Sequence, residues 1–273
     1  MTIPYAEVIG DPIAHSKSPL IHNFWLQKLG LAGEYRRTHV PADQLSYYLG
    51  RRREDEGWRG CNVTIPHKIS IMQHLDAIDA AEVGAVNCII PGASGLRGLN
   101  TDVLGLAEAL SRCVARGPVL LLGTGGAARA AVAWVKSERY ADLRLVARDR
   151  RKAEELLAEF GCQGEIYDYS SAADAMQGAI GILNATPMGM NGFASMPEDV
   201  LNALPRLRAG SFVLDMVYAP IETPLLRRAT DLGFSAVDGL AMLIGQARSA
   251  FRLFFGETPP EEGDTELRAI LTS

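Results

Sequence analysis

Short apolar runs alternate along this chain with stretches whose apolar positions recur every three or four residues, the spacing of one helix face. Residues 6–9, 35–40, 60–65 and 85–90 read as strands, and Pro66 ends the third because proline cannot serve a central ladder. Between them, Ser18 reads as an N-cap and Pro19 as the first residue of a helix that stops before Gly30. Residues 45–53 read as a second helix, a third is expected from about Lys68, and residues 91–95 form a turn leading into a hairpin. Farther on, strands are expected at 119–122, 143–146, 180–184 and 212–215, with helices at 129–136 and from Asp149 to about Phe160. A long apolar helix opens at 238–242 and carries Gln246, Phe251 and Phe254. Such alternation predicts an α/β protein, with a mixed sheet complete before the second set of strands begins.

The strand at 119–122 leads into Gly123-Thr124-Gly125-Gly126-Ala127-Ala128 and then a helix, an order in which each glycine has its own physical task. Gly123 makes the tight turn, Gly125 lets the backbone approach a pyrophosphate, and a small residue at Ala128 lets the helix pack on the strand. The helix N-terminus offers unpaired N–H groups and the positive end of its dipole to the phosphates. The next strand ends in Ala147-Arg148-Asp149-Arg150-Arg151-Lys152. An NAD site commonly has an acidic residue there to hold the ribose hydroxyls, whereas Arg148 suits a 2'-phosphate, so NADP is expected ahead of NAD. Asp149 has a second reading, as the cap of the helix that follows. The loop at 216–220 follows a strand end, where ligands sit in open parallel sheets.

Upstream of the glycine turn, Asn62-Val-Thr-Ile-Pro-His-Lys68 and Asn100-Thr-Asp102 each place an ionisable residue after an apolar strand. A lysine that moves protons needs a fixed position, partial shielding from water and a partner that shares its proton, and Lys68 with Asp102 meets these needs. A neighbouring carboxylate holds a proton on a lysine while burial acts against it, so the two are read as a coupled pair. Alone, such a lysine is a solvated turn residue. Ser16 and Ser18, two hydroxyls at a helix start, suit either a bound carboxylate or simple capping.

With 273 residues, 48% of them hydrophobic, the chain can fill two cores. A formal net charge of -5 argues against a nucleic-acid surface. No apolar run approaches a membrane span and the N-terminus lacks the parts of a signal peptide, so a cytoplasmic protein without a membrane partner is expected. The 4 cysteines are scattered, as suits reduced thiols, and the 5 histidines show no ligand spacing, so no metal is expected.

Taken in order, Ser16-Lys-Ser18-Pro19, Asn62 to Lys68, Gly84-Ala-Val-Asn87, Asn100-Thr-Asp102, the glycine loop, Asn184-Ala-Thr-Pro, residues 215–218 and Asp238-Gly-Leu to Gln246 resemble the motifs of shikimate dehydrogenases, in the shikimate/quinate dehydrogenase family. The resemblance covers nearly the whole chain. It implies reversible, NADP-dependent reduction of 3-dehydroshikimate to shikimate, a step towards chorismate and aromatic amino acids. It also implies two lobes: a substrate-binding catalytic domain at 1–102 completed by C-terminal helices at 240–273, and a Rossmann-like dinucleotide-binding domain at 103–239. By position, Lys68 and Asp102 would be the proton-transfer pair, and Ser16, Ser18 and Tyr218 would hold the substrate carboxylate. Thr64, Asn87 and Gln246 would bind ring hydroxyls. Gly123, Thr124, Gly125, Gly126, Ala127, Ala128 and Arg148 would hold the cofactor, with Met216 and Gly239 near the nicotinamide.

The chain departs from the family pattern at Ala147 and Asp149, where Asn and Thr or Ser commonly flank the arginine, and at Val103 and Thr124, where Gly and Ala are usual. Ser18 leans towards shikimate as substrate, since forms that also use quinate often carry Thr there. A non-catalytic NADP-binding sensor would have no use for Lys68 together with Asp102. A small-molecule substrate and a monomer or homodimer are expected.

Overall fold

The structure, a computed structural model, describes residues 3–113, 116–138, 140 and 142–272. The chain divides into two compact units, residues 1–105 with 243–273 and residues 106–242.

In the first unit the chain runs through β1 (Tyr5–Gly10), α1 (Ser18–Lys28), β2 (Glu34–His39), α2 (Leu45–Arg53), β3 (Trp58–Val63), β4 (Ala77–Ile78), β5 (Cys88–Gly92), β6 (Gly95–Leu99) and the start of α3 (Asp102–Ala109). The strands form one sheet in the order β2-β1-β3-β5-β6-β4. β1 lies parallel to β2 and β3, whereas β5 is antiparallel to β3 and β6, so the sheet is mixed as expected. Successive side chains of β1 serve opposite faces: Tyr5 and Ile9 pack with Tyr48, Leu49 and Trp58, while Ala6 and Val8 pack with Tyr35, Ala250 and Phe254.

Phe254 comes from α9 (Gly239–Phe255), so the C-terminal part of the chain completes this core. It reaches the sheet at Gly60, where an added Cβ would stand 2.6 Å from its ring and 2.4 Å from the Ile89 carbonyl oxygen. With φ at +141°, the position excludes side chains on conformation as well as on space. β1 also buries Glu7 completely. An unpaired carboxylate there would be very unfavourable, and it is met by Arg52 Nε at 2.6 Å, the Tyr48 hydroxyl at 2.8 Å and the Thr38 hydroxyl.

The second unit continues with β7 (Val119–Leu122), α4 (Gly126–Ser137), β8 (Leu143–Val146), α5 (Arg150–Glu159), β9 (Gly164–Tyr167), α6 (Ala172–Met176), β10 (Gly181–Asn184), α7 (Glu198–Ala203), β11 (Phe212–Asp215), α8 (Pro224–Asp231) and β12 (Ser235–Val237). Its sheet is parallel throughout, in the order β12-β11-β10-β7-β8-β9. Every residue of β7, β10 and β11 is buried, as a parallel sheet covered on both faces requires. The order reverses between β7 and β10, the switch point at which a doubly wound sheet opens its ligand crevice. A last helix, α10 (Asp264–Thr272), follows α9 in the first unit. Among the described residues, no helix is long and apolar enough to cross a membrane.

Three sequence expectations need correction. The cap of α1 is Lys17, in helical conformation and without a side-chain cap bond, so Ser18 is inside the helix instead of capping it. The helix expected from Lys68 is a 3-10 turn over Ser70–His74. The Lys68 carbonyl, which an α-helix would use for residue 72, instead accepts from the Val86 N–H at 2.7 Å. For the same reason β5 begins at Cys88 and not at residue 85, because the backbone at 85 and 86 is occupied by loops: the Ala85 carbonyl accepts from the Asn100 side chain at 2.9 Å.

Candidate active site

In the first unit four chain segments converge on one edge of the sheet. β1 and β3 are parallel neighbours, so the loops after Gly10 and Val63 leave together, the first carrying Ser16 and Ser18 and the second Thr64 and Lys68. β5 runs antiparallel to β3, which brings Asn87, just ahead of its first residue, to the same edge. β6 pairs Leu99 with Cys88, so the chain returns there and continues into Thr101 and Asp102. Thr64 folds back over the end of β1: its N–H donates to the Ile9 carbonyl at 3.0 Å, and its methyl lies where a Gly10 Cβ would come within 2.6 Å. Only glycine leaves Thr64 that place. The turn closes with the His67 N–H donating to the Thr64 carbonyl at 2.9 Å, and the buried His67 ring donates from Nε2 to the Val40 carbonyl at 2.6 Å.

Lys68 emerges from this turn and donates from Nζ to Asp102 Oδ2 at 2.5 Å. Its side chain is 17% exposed and that of Asp102 only 8%, so the pair is shielded while the lysine keeps access to the surface. The other carboxylate oxygen, Oδ1, accepts from Asn87 Nδ2 at 2.8 Å. Asn87 is in turn bound to Thr101, accepting from its N–H at 2.7 Å and donating to its hydroxyl at 3.0 Å. The Thr101 hydroxyl reaches Gln246 Oε1 at 3.3 Å, which ties α9 to the cluster. Lys68, Asp102, Asn87 and Gln246 are therefore one hydrogen-bonded group. Thr64 shares the Lys68 turn; Ser18 is buried, and its N–H donates to the Ser16 hydroxyl at 3.4 Å on the adjoining loop.

In the second unit the glycine turn has its expected form. Gly123 has φ at +102°, and an added Cβ would stand 2.7 Å from the Thr186 methyl. An added Cβ on Gly125 meets nothing within 4 Å, so the chain leaves open space in front of the backbone that caps α4. Ala128 is fully buried. Thr124 and Ala127 lie within the same turn and the first turn of α4.

At the end of β8, Arg148 is exposed and, among the described residues, makes no ion pair. Its basic neighbours are all engaged nearby: Arg150 with Glu154 at 3.0 Å, Arg151 with Glu155 at 3.5 Å, Lys152 with Asp149 at 3.9 Å. Asp149 caps α5, accepting from the Lys152 N–H at 3.2 Å. Its carboxylate is thereby turned to its own helix.

Sequence reasoning gave no role to a polar group at the ends of β10 and β11. Asn184 Nδ2 donates to Asp215 Oδ1 at 2.8 Å, the Val217 N–H donates to the same oxygen at 3.0 Å, and the Thr223 hydroxyl donates to Oδ2 at 2.6 Å. Asn184 Oδ1 accepts from the Thr186 hydroxyl at 2.6 Å, which sets the side chain packed against Gly123. Burial pushes the Asp215 carboxyl above the usual carboxylate range, against the pull of its three donors. This group holds the loop carrying Met216 and Tyr218. The loop backbone then passes so close to Gly239, in the same unit, that an added Cβ there would stand 2.6 Å from both the Met216 and Val217 carbonyl oxygens. Met216 and Gly239 are thus neighbours, and Tyr218 belongs to this unit and not to that of Ser16 and Ser18. The signal for the missed residues was the Asn184-Ala-Thr-Pro motif beside Asp215.

Comparison with known proteins identifies the family. The family model described as the shikimate dehydrogenase substrate binding domain matches residues 8–89, and that of the shikimate 5'-dehydrogenase C-terminal domain matches residues 239–266. A relative from Sphingopyxis alaskensis named shikimate dehydrogenase (NADP(+)) is 46% identical, with 99% of this chain and 97% of the relative covered. One of the same name from Paracoccus denitrificans is 38% identical, with 98% and 96% covered. The crystal structure of shikimate 5-dehydrogenase from Thermus thermophilus, in complex with NADP(H) and shikimate, superposes with a TM-score of 0.85 at 32% identity, covering 98% of this chain and 99% of that one. The chain belongs to the shikimate dehydrogenase family.

Proposed function

We propose that this protein interconverts 3-dehydroshikimate and shikimate with NADP as cofactor. The observation that carries the reading is the shielded Lys68–Asp102 pair at 2.5 Å, set on a strand edge that also presents Asn87, Gln246 and Thr64. NADP fits the second unit's residues. The open space before Gly125 leaves room for a pyrophosphate, the first turn of α4 supplies N–H donors, and the uncommitted Arg148 suits the 2'-phosphate. When bound, NADP would supply the hydride chemistry needed at the carbinol carbon.

The residues of the chain manage the proton that accompanies this exchange. Lys68 Nζ takes the hydroxyl proton as shikimate is oxidised and returns it on reduction, while Asp102 holds the amine in place and balances its charge. Asn87 keeps the carboxylate turned towards Lys68, and with Thr64 and Gln246 provides amide and hydroxyl groups for ring hydroxyls. Ser16 and Ser18 hold the substrate carboxylate; freed from capping, Ser18 is available for this. Met216 and Gly239, neighbours in the second unit, would hold the nicotinamide end of the cofactor. The dinucleotide domain is read as residues 103–239, close to the compact unit at 106–242, and a cytoplasmic monomer or homodimer that binds no nucleic acid accompanies the reading.

Initial rates with shikimate and quinate, each with NADP and NAD, test the function. Turnover should be fastest with shikimate and NADP. No turnover of shikimate with either cofactor would overturn the proposal.

A further inference from the structure

Behind the proposed site a second line of polar groups runs into the core of the first unit. Asn62 is buried, and its Nδ2 donates to the Asn87 carbonyl at 3.1 Å; that carbonyl also accepts from the Val63 N–H at 2.8 Å. A carbonyl only accepts, so the Asn62 amide has one orientation, with Oδ1 directed away from Asn87. There it accepts from the Tyr35 hydroxyl at 2.7 Å. Burial pushes the Tyr35 phenol well above its usual range, so it keeps the proton it donates.

Tyr35 itself is held on every side. Its backbone N–H donates to Asn23 Oδ1 at 2.9 Å and its carbonyl accepts from Asn23 Nδ2 at 2.7 Å. Its ring stacks on His22 with centroids 3.9 Å apart and planes 5° from parallel. His22 is fully buried and burial brings its imidazole down to about 3, so the stack is between neutral rings.

We propose that Tyr35 and Asn62 are positioning residues for the Asp102 carboxylate. Tyr35 fixes the Asn62 amide, Asn62 fixes the Asn87 backbone, and Asn87 presents its own amide to Asp102 Oδ1. A buried strut of this kind matters because small displacements of a catalytic pair lose rate steeply. This inference rests on the reading of Lys68, Asp102 and Asn87 as one catalytic group.

A double-mutant cycle separates positioning from mere support of the fold, since only residues acting through one another are non-additive. The variants are Tyr35→Phe, which keeps the stacked ring, and Asn62→Ala, each made in the wild type and in an Asn87→Ala background, with kcat/KM for shikimate measured well below the melting temperature. Each should lower kcat/KM about tenfold alone and less than twofold when Asn87 is already alanine. A fall of less than threefold in the wild type, or the same fall in both backgrounds, overturns the inference. Should Asn62→Ala fail to fold, Tyr35→Phe decides the question alone. Asn87→Ala by itself distinguishes the two levels: if it leaves kcat/KM within threefold of wild type, the site reading fails and the positioning role goes with it. If it lowers kcat/KM while Tyr35→Phe and Asn62→Ala do not, only the positioning role fails.

Discussion

At the edge that holds Lys68, the working groups are side chains drawn from positions far apart in the chain, and each is fixed by another side chain. Asp102 is held by Asn87, Asn87 by Thr101, and Thr101 reaches Gln246. At the edge that holds Gly123, the working surface is backbone, and side chains serve to shape it from behind, as Thr186 does against Gly123 and Asp215 beneath the Met216 loop. The difference follows from the ligands proposed for each edge. Moving a proton needs a particular titrating atom at a particular point, while cradling phosphates needs N–H groups and space. The first edge should therefore respond to substitution in its chemistry, and the second mainly through shape.

The largest expected effect is at the first edge. Lys68→Ala should lower kcat by about 10² to 10⁴, the range for lost general acid–base catalysis, while shikimate still binds. Steady-state kinetics with a separate measurement of shikimate binding checks this. A kcat near that of wild type would remove Lys68 from its role and leave the first edge as a binding surface only.

The same contrast explains what could be read from the sequence. The glycine loop is contiguous, and its flanking strand and helix are strongly apolar, so its form and its place after β7 were legible residue by residue. The mixed and parallel sheets were also legible, because alternating apolar runs determine which segments can be buried. The first edge was less so. Lys68 and Asp102 are 34 positions apart and meet only once the sheet order is formed; residue type suggests the pair, and the family resemblance adds the proton-transfer role. The misread helix after Lys68 has the same origin, since the Val86 N–H that takes the Lys68 carbonyl comes from a distant loop. Local preference makes Ser18 a cap, but the chain enters α1 in helical conformation at Lys17 and leaves the serine out of that role. The contact of Gly239 with the Met216 and Val217 carbonyls has no sequence signal beyond the presence of glycine.

Arg148 sharpens the comparison, being a side chain at the backbone-built edge. Replacing it with Ala should raise KM for NADP about 10- to 100-fold, the equivalent of about 1.5–3 kcal/mol for hydrogen bonds to a charged group, and leave KM for NAD little changed. Cofactor kinetics with both dinucleotides measures it. Equal losses with NADP and NAD would show that Arg148 shapes the pocket and does not read the 2'-phosphate.

The smallest effect belongs to Asp215, buried at the second edge without a cationic partner among the described residues. Its carboxyl is raised above the usual range by burial, so the folded chain gives up this proton at higher pH than the unfolded chain does. The unfolded state therefore loses its proton first, and the folded state is penalised progressively as pH climbs from the ordinary carboxylate value of about 4 through the raised one, then by a constant amount. Asp215→Asn does not titrate. Its Oδ1 can still accept from Asn184 and Val217, and its Nδ2 can donate to the Thr223 oxygen, reversing one bond. Its stability relative to wild type should accordingly improve as pH rises through that window and level off above it, which urea unfolding at a series of pH values measures. A relative stability that falls as pH rises would mean that Asp215 is held charged by its donors, and the second edge would then rest on an electrostatic anchor as the first does.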